Sequence, residues 1–132
     1  MILEEFDENR QAIINPEDLV EALPNFPETV VSCFARETFK RMLADFQHEL
    51  LTSTSMANIE IPIYKIFVED REIAMFNAPV GASACVAILE DLIAFGMKKL
   101  VLFGTCGVLD EDIKETSIIV PHTAIRDEGT SY

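Results

Sequence analysis

Cysteine is rare in this chain, and the three that occur, Cys33, Cys85 and Cys106, are widely spaced. Such spacing makes neither a disulfide framework nor a metal-binding cluster, so we expect free thiols in a reducing compartment and no bound metal. Long apolar runs are also missing, and Met1 is not followed by a basic and then apolar signal region. These absences argue against a membrane span and an export signal, and we expect a cytoplasmic protein.

Basic residues are few: ten Lys and Arg stand against 23 Asp and Glu, which gives a formal net charge of −13. Nucleic acids and anionic membranes bind clusters of basic residues, so neither is expected as a partner. A small anion held by backbone N–H groups is compatible with this charge, because local dipoles dominate such sites. No segment is low in complexity and 49% of the 132 residues are hydrophobic, which indicates a single globular domain over residues 1–132.

The stretch formed by residues 72–107 organises the fold, because it reads as strand, helix, strand and glycine-flanked loop. The first strand ends at Pro79, Ser83 is the candidate N-cap of the helix, and Gly96 suits its C-terminal cap. Residues 100–103 form a continuous apolar run, which is typical of a strand buried on both faces. We expect the two strands to be adjacent and parallel, joined by a right-handed crossover, with a ligand at the loop after the second strand.

The other elements are predicted from apolar periodicity and turn residues. In chain order they are a short helix beginning at Asn15-Pro16, a strand at residues 29–33, an amphipathic helix at 37–51, a polar connector at 52–57, a hairpin made by 59–68 and the strand after Glu72, and a strand at 116–120. His48 is expected to face solvent from the longer of the two helices.

The best candidate site is the loop Gly104-Thr105-Cys106-Gly107. Its small residues let backbone N–H groups approach an anion or a flat heterocycle, and Thr105 adds a hydroxyl donor. A glycine-flanked turn of this kind is also compatible with a purely structural role. Cys106 has two interpretations, as a nucleophilic or redox-sensitive thiol and as a small packing residue.

A second polar constellation runs from Arg126 to Ser131 and includes Thr130. A dense polar run after an apolar strand suits a binding loop, and it equally suits a solvated loop held by an arginine–carboxylate pair. Asp127 and Glu128 are adjacent, so their side chains point apart in extended chain, which weakens the idea of an acid–base pair. His122 is interpreted as structural rather than as a base or a ligand.

Two motifs carry a resemblance to a known family. They are Leu102-Phe103-Gly104-Thr105-Cys106-Gly107-Val108-Leu109-Asp110 and, after Ile119-Val120-Pro121, Ala124-Ile125-Arg126-Asp127-Glu128-Gly129-Thr130-Ser131-Tyr132. With Val80-Gly81-Ala82-Ser83-Ala84 and its helix, these motifs resemble the nucleoside phosphorylase and uridine phosphorylase family over residues 59–132. The resemblance implies an α/β fold with a twisted mixed sheet flanked by helices, a phosphorylase/hydrolase-like sandwich that is incomplete at the C-terminus. It also implies a homo-oligomer.

The resemblance implies reversible phosphorolysis of the N-glycosidic bond of a purine or pyrimidine nucleoside, a pentosyltransferase activity with phosphate as co-substrate and no cofactor. By position in the motif, Gly104 and Thr105 would contact phosphate and ribose, while Cys106 and Gly107 would line the base pocket. Residues 32–35 would take the place of the first phosphate loop. Possible loop contacts come from four further residues, namely Ser32, Arg36, Arg126 and Thr130.

The sequence departs from the family pattern in three ways. Leu102 stands where the phosphorylases commonly carry an arginine, and the first loop lacks the usual Gly-Asp-Pro before a basic residue. The chain also ends at Tyr132, before the family's base-stacking aromatic, its ribose-binding acidic segment and its general acid. We therefore expect an amino-terminal half that self-associates and has no phosphorolysis activity alone. The alternatives are a nucleosidase-type hydrolase, which uses water, and a non-catalytic nucleoside-binding or assembly fragment.

Overall fold

The computed structural model describes residues 9, 11–114, 117–125, 127 and 129. Its elements are, in chain order, α1 (Pro16–Leu19), β1 (Thr29–Cys33), α2 (Arg36–Asp45), β2 (His48–Met56), β3 (Ile59–Val68), β4 (Arg71–Asn77), α3 (Ala82–Phe95) and β5 (Lys99–Phe103). The predictions for α1, β1, the β3–β4 hairpin and α3 are confirmed. Within the described ranges, no helix is both long and apolar enough to cross a membrane.

The five strands form one open mixed sheet in the order β2-β3-β4-β1-β5. β2, β3 and β4 are antiparallel neighbours, as short hairpin connections require, whereas β1 runs parallel to both β4 and β5. Parallel neighbours need long connections. The connection from β1 to β4 contains α2 and the β2–β3 hairpin, and the connection from β1 to β5 contains β4 and α3 in addition. This arrangement confirms the predicted α/β fold with a mixed sheet flanked by helices.

The prediction that β4 and β5 are adjacent is wrong, because β1 lies between them. Val30 pairs with Ala74 on one side and with Leu100 on the other. The prediction that β5 is buried on both faces is also wrong, since Val101 is 55% exposed. β5 is an edge strand, so its apolar residues have a neighbouring strand on one side only. The apolar run thus indicated a strand correctly but not its place in the sheet.

The helix predicted over residues 37–51 is wrong in its second half. α2 ends at Asp45, and the chain enters β2, which includes most of the polar connector predicted at 52–57. Pairing with β3 outweighs the helical spacing that continues through Leu50, because the hairpin satisfies the backbone donors and acceptors of both strands. His48 is exposed as predicted, although it lies at the start of β2 rather than on a helix.

The two ends of α3 are set by glycines. Gly81 is the N-cap at φ +109°, so Ser83 lies inside the helix and its predicted capping role is wrong. At the other end Gly96 has φ +133°, and its N–H donates to carbonyl oxygens of the last helical turn, as predicted. Both glycines adopt backbone conformations that residues with a Cβ avoid, which fixes where the helix starts and stops.

The segment after β5 contains no strand among its described residues. Residues 117–120 are the described part of the strand predicted at 116–120, and they have no regular structure. Ile118 and Val120 are exposed there. The prediction is therefore wrong for these four residues, because β-branched side chains favour a strand only where a neighbouring strand pairs with them.

The core lies on both faces of the sheet. Successive side chains of a strand point to opposite faces, so Ala74 and Phe76 of β4 join the core cluster that contains α3, and Met75 joins the cluster that contains Phe39 of α2. The two helices therefore cover opposite faces. The loops that lead into α2 and α3 leave the carboxyl ends of β1 and β4, at the same edge of the sheet as the carboxyl end of β5.

Candidate functional site

A hollow of about 760 Å³ opens at the carboxyl ends of the parallel strands. Cys33 of β1 pairs with Asn77 of β4 and with Phe103 of β5, so the chain leaves the three strands at one level. In open α/β sheets this edge is where ligands bind. The lining comes from the end of β1 and start of α2, from the start of α3 and from the end of β5, and consists of Cys33, Phe34, Ala35, Thr38, Val80, Gly81, Ala82, Cys85, Val86, Leu89, Leu102, Phe103, Gly104 and Thr105.

The turn after β1 is held by hydrogen bonds to one carbonyl group. The Cys33 carbonyl oxygen accepts from the Ala78 N–H at 3.0 Å and from Asn77 Nδ2 at 2.7 Å. Two donors use both lone pairs of this oxygen and fix the point where the chain leaves β1. The next residue, Phe34, is thereby set in the lining of the hollow, where its side chain stays 37% exposed.

The Phe34 ring lies against the glycine that begins the loop after β5. A Cβ added at Gly104 would come within 3.2 Å of Phe34 Cδ2, which is closer than an ordinary van der Waals contact. Gly104 therefore lets an aromatic ring approach the loop backbone. Gly107, by contrast, has open space around it. The first glycine of the candidate motif thus has a packing reason, and the second has none in the structure.

The hollow carries no formal charge. None of its described lining residues is Lys, Arg, His, Asp or Glu. Its polar side chains are the hydroxyls of Thr38 and Thr105 and the thiols of Cys33 and Cys85. Burial raises the pKa of both thiols, so they stay protonated near neutral pH and are weak nucleophiles. In the part of the chain that the structure describes, no three His, Cys, Asp or Glu side chains are placed to hold a metal ion.

Two of the predicted site residues, Gly104 and Thr105, lie in the hollow. Cys106 and Gly107 follow them directly, but both are exposed and lie outside its lining. The ligand contacts expected of these four residues stay predictions, and the geometry favours the first pair over the second.

The four possible loop contacts have different positions. Ser32 is buried in β1 and donates its hydroxyl hydrogen to the Phe76 carbonyl oxygen of β4 at 2.8 Å, so its donor is already used inside the sheet. Arg36 is the first residue of α2, is exposed and lies outside the lining of the hollow. Arg126 and Thr130 lie outside the described residues.

Sequence reasoning placed Phe34 only within residues 32–35, the stretch expected in place of the first phosphate loop, and it missed Val80 and Val86 as lining residues of the hollow. A usable signal existed for Val80, because it comes shortly after β4 and parallel strands end at one edge of a sheet. Val86 recurs with Cys85, Leu89, Leu92 and Ile93 at three- and four-residue intervals along α3, a spacing that predicts a single apolar stripe. It is nevertheless 53% exposed, because it lies near the start of α3, in the lining of the hollow.

Comparison with known proteins places this site in a family context. A family model described as the phosphorylase superfamily matches residues 36–132. A DeoD-type purine nucleoside phosphorylase from Buchnera aphidicola subsp. Acyrthosiphon pisum is 34% identical over 65 residues, which are 48% of this chain and 28% of that protein. The match thus spans less than a third of that relative.

Solved structures show the same fold. A uridine phosphorylase from Vibrio fischeri ES114 is similar with a TM-score of 0.59 and 17% identity, over 79% of this chain and 42% of that one. A purine nucleoside phosphorylase from Toxoplasma gondii, in complex with immucillin-H, is similar with a TM-score of 0.54 and 17% identity, over 67% of this chain and 37% of that one. In both cases the chain spans roughly two fifths of the other protein.

Proposed function

Because the chain belongs to the phosphorylase superfamily, we propose that the hollow is one wall of a nucleoside site. The complete protein cleaves the N-glycosidic bond of a purine or pyrimidine nucleoside, a proposal supported by the names of the purine nucleoside and uridine phosphorylases that it resembles. The observation that carries the proposal is the position of Gly104 and Thr105, which line the hollow within the part of the chain that matches the family.

The proposed reaction is reversible phosphorolysis, in which phosphate attacks the anomeric carbon as the base leaves through an oxocarbenium-like state. The Thr105 hydroxyl and the loop N–H groups donate to oxygen atoms of phosphate and ribose, which orients the nucleophile and the sugar. Apolar residues of the hollow hold the flat base. Phosphate is the co-substrate, and no further cofactor enters this scheme.

The setting we propose is a cytoplasmic homo-oligomer without nucleic-acid or membrane partners. The net charge of −13 disfavours polyanionic partners. Val101 on the edge strand β5 is an exposed apolar residue that lies outside the lining of the hollow, which favours contact with a second copy.

Hydrolysis is the second candidate reaction, and one observation favours it. A phosphate dianion in the hollow would lose hydration without meeting a cationic side chain among the described lining residues. Leu102 lies in that lining at the position where the resemblance to phosphorylases leads one to expect arginine. Water needs no counter-charge, so this wall is also compatible with a nucleosidase-type hydrolase.

Nucleoside binding by the chain itself tests the proposal. Inosine and uridine are titrated against the chain, with and without phosphate, and binding is followed by ligand-observed NMR. We expect at least one nucleoside to bind, and to bind more weakly to Thr105→Val, because valine keeps the shape of threonine but removes the hydroxyl donor. Thr123→Val is the matched control, since Thr123 is exposed and lies outside the lining. Absence of binding, or an equal loss in both variants, contradicts the proposal.

Release of free base, measured by chromatography, separates the reactions. Phosphate-dependent release indicates phosphorolysis, and equal release without phosphate indicates hydrolysis. We expect neither from this chain alone, because the described lining contains no carboxylate or imidazole that could protonate the leaving base. Turnover of inosine or uridine by material of 14.8 kDa chain mass would refute that expectation.

A further inference from the structure

The side chain of Asn77 joins the ends of two neighbouring parallel strands. Its Nδ2 donates to the Cys33 carbonyl oxygen at 2.7 Å, and this oxygen also accepts from the Ala78 N–H at 3.0 Å. A parallel ladder supplies a carbonyl oxygen with one backbone N–H, so the amide of Asn77 is a donor in addition to the ladder. The exit of the chain from β1 is therefore held by two hydrogen bonds from the end of β4.

The turn after β1 is held more weakly by its own groups. Phe34, Ala35 and Arg36 are exposed. Within the turn the Cys33 thiol donates to the Ala35 carbonyl oxygen at 3.7 Å, and a thiol is a weak donor. The direction in which Phe34 leaves the strand therefore depends on how firmly the Cys33 carbonyl group is held.

Phe34 connects this turn to the loop after β5. A Cβ added at Gly104 would lie 3.2 Å from Phe34 Cδ2 and 3.8 Å from its Cε2, so one edge of the ring lies directly on the loop backbone. The next residue, Thr105, lines the hollow together with Phe34 and Gly104. The hydrogen bonds at Cys33 and the ring contact at Gly104 thus form one series of contacts across the ends of β4, β1 and β5.

We infer that Asn77 is a positioning residue of the hollow. By holding the Cys33 carbonyl group it keeps the Phe34 ring against Gly104, and so it sets the width of the hollow between the β1 turn and the β5 loop. Asn77 itself lies outside the lining, so it acts through Phe34 rather than by touching a ligand. Groups that are held in place before binding cost less to order, which raises affinity. This effect on affinity rests on the proposed function, because it takes the ligand to be a nucleoside.

NMR spectroscopy of the whole chain tests the structural part of the inference. The ring current of Phe34 shifts the Gly104 signals, and Phe34→Leu gives their positions without the ring. Asn77→Ala removes the amide, whereas Asn77→Asp keeps its shape but replaces the donor by a carboxylate oxygen, which repels the Cys33 carbonyl oxygen. We expect the Gly104 signals of both Asn77 variants to move toward their positions in Phe34→Leu.

The matched control is Thr54→Val. It removes a hydrogen bond between two other elements, from the buried Thr54 Oγ1 to Asp91 Oδ2 at 2.5 Å, and we expect it to leave the Gly104 signals in place. Far-UV circular dichroism establishes that each variant is folded. In the unmodified chain, at least one Nδ2 proton of Asn77 should exchange with water more slowly than those of Asn58, which is exposed on the β2–β3 turn. This comparison keeps the inference open to refutation if neither Asn77 variant folds.

Nucleoside affinity tests the functional part. The nucleoside that binds the unmodified chain, inosine or uridine, should bind about fivefold more weakly to both Asn77 variants and with unchanged affinity to Thr54→Val. Gly104 signals that stay in place in both Asn77 variants overturn the inference, as do equal exchange rates of the Asn77 and Asn58 amides or an unchanged nucleoside affinity. If the unmodified chain binds neither nucleoside, the proposed function falls, and the Gly104 signals alone decide whether Asn77 positions Phe34.

Discussion

Ser32 provides a direct test of how the strand that leads into the hollow is stabilised. Its side chain is 1% exposed, and its hydroxyl donates to the Phe76 carbonyl oxygen at 2.8 Å across the β1–β4 pair. The resemblance to phosphorylases makes Ser32 a possible ligand contact, whereas in the structure its hydroxyl donates within the sheet. Ser32→Ala separates the two roles, because it removes the donor and leaves the backbone unchanged.

The size of the effect follows from burial. Removing one partner of a buried hydrogen bond leaves the other group desolvated and unpaired, which costs about 1–3 kcal/mol. We expect the free energy of unfolding to fall by about 2 kcal/mol. With a urea m-value of about 2 kcal/mol/M, a loss of this size lowers the unfolding midpoint by about 1 M without changing the slope.

Urea unfolding followed by circular dichroism measures this change. The matched control is Ser53→Ala, since the Ser53 hydroxyl also donates to an oxygen atom, Glu60 Oε1 at 2.8 Å, but at an exposed position. We expect the control to change the free energy of unfolding by less than about 0.5 kcal/mol. Equal midpoints for both variants, together with a loss of nucleoside binding in Ser32→Ala alone, would refute the structural role and favour a ligand contact.

Two further predictions concern α3 and an exposed ion pair. Leu92→Ala should lower the free energy of unfolding by about 2–5 kcal/mol, because Leu92 is fully buried. The control, Ile93→Ala at the exposed neighbouring position, should lower it by much less. Similar losses for the two variants in thermal or urea unfolding would contradict the burial of Leu92. The hydrogen bond from Lys98 lowers the pKa of Glu28 below its ordinary value of 4.5. The ion pair therefore stabilises the folded state above pH 4.5, and this stabilisation is lost as the pH falls through the lowered pKa of Glu28. In Lys98→Met the free energy of unfolding should therefore fall less steeply with decreasing pH than in the unmodified chain. Identical pH profiles of the unfolding midpoint for the two proteins would contradict this prediction.

The parts of the fold that sequence predicted well are those that local chemistry decides. The β3–β4 hairpin follows from two strand patterns separated by a tight turn, and Gly96 ends α3 because a glycine adopts φ +133° without strain. Gly104 and Thr105 were placed near the candidate site by their position directly after a strand. None of these inferences requires knowledge of distant parts of the chain.

The parts that sequence did not predict depend on distant partners. The spacing from Phe39 to Leu50 fits a helix, and only pairing with β3 turns its last residues into a strand. The exposure of β5 and the insertion of β1 between β4 and β5 are likewise properties of the sheet as a whole. The contact between Phe34 and Gly104 could not be predicted for a related reason, because the two residues lie seventy positions apart in the sequence.

The position of β1 between two strands that follow it in the sequence has a consequence for how the polypeptide folds during synthesis. Thr29–Cys33 leaves the ribosome first among the strands, yet one of its partners begins at Arg71 and the other at Lys99. The meander of β2, β3 and β4 contains only neighbouring pairings and can form before β1 is fully enclosed. Until Phe103 has emerged, β1 therefore has one unpaired edge, and an unpaired strand edge exposes a nascent chain to wrong pairing and aggregation.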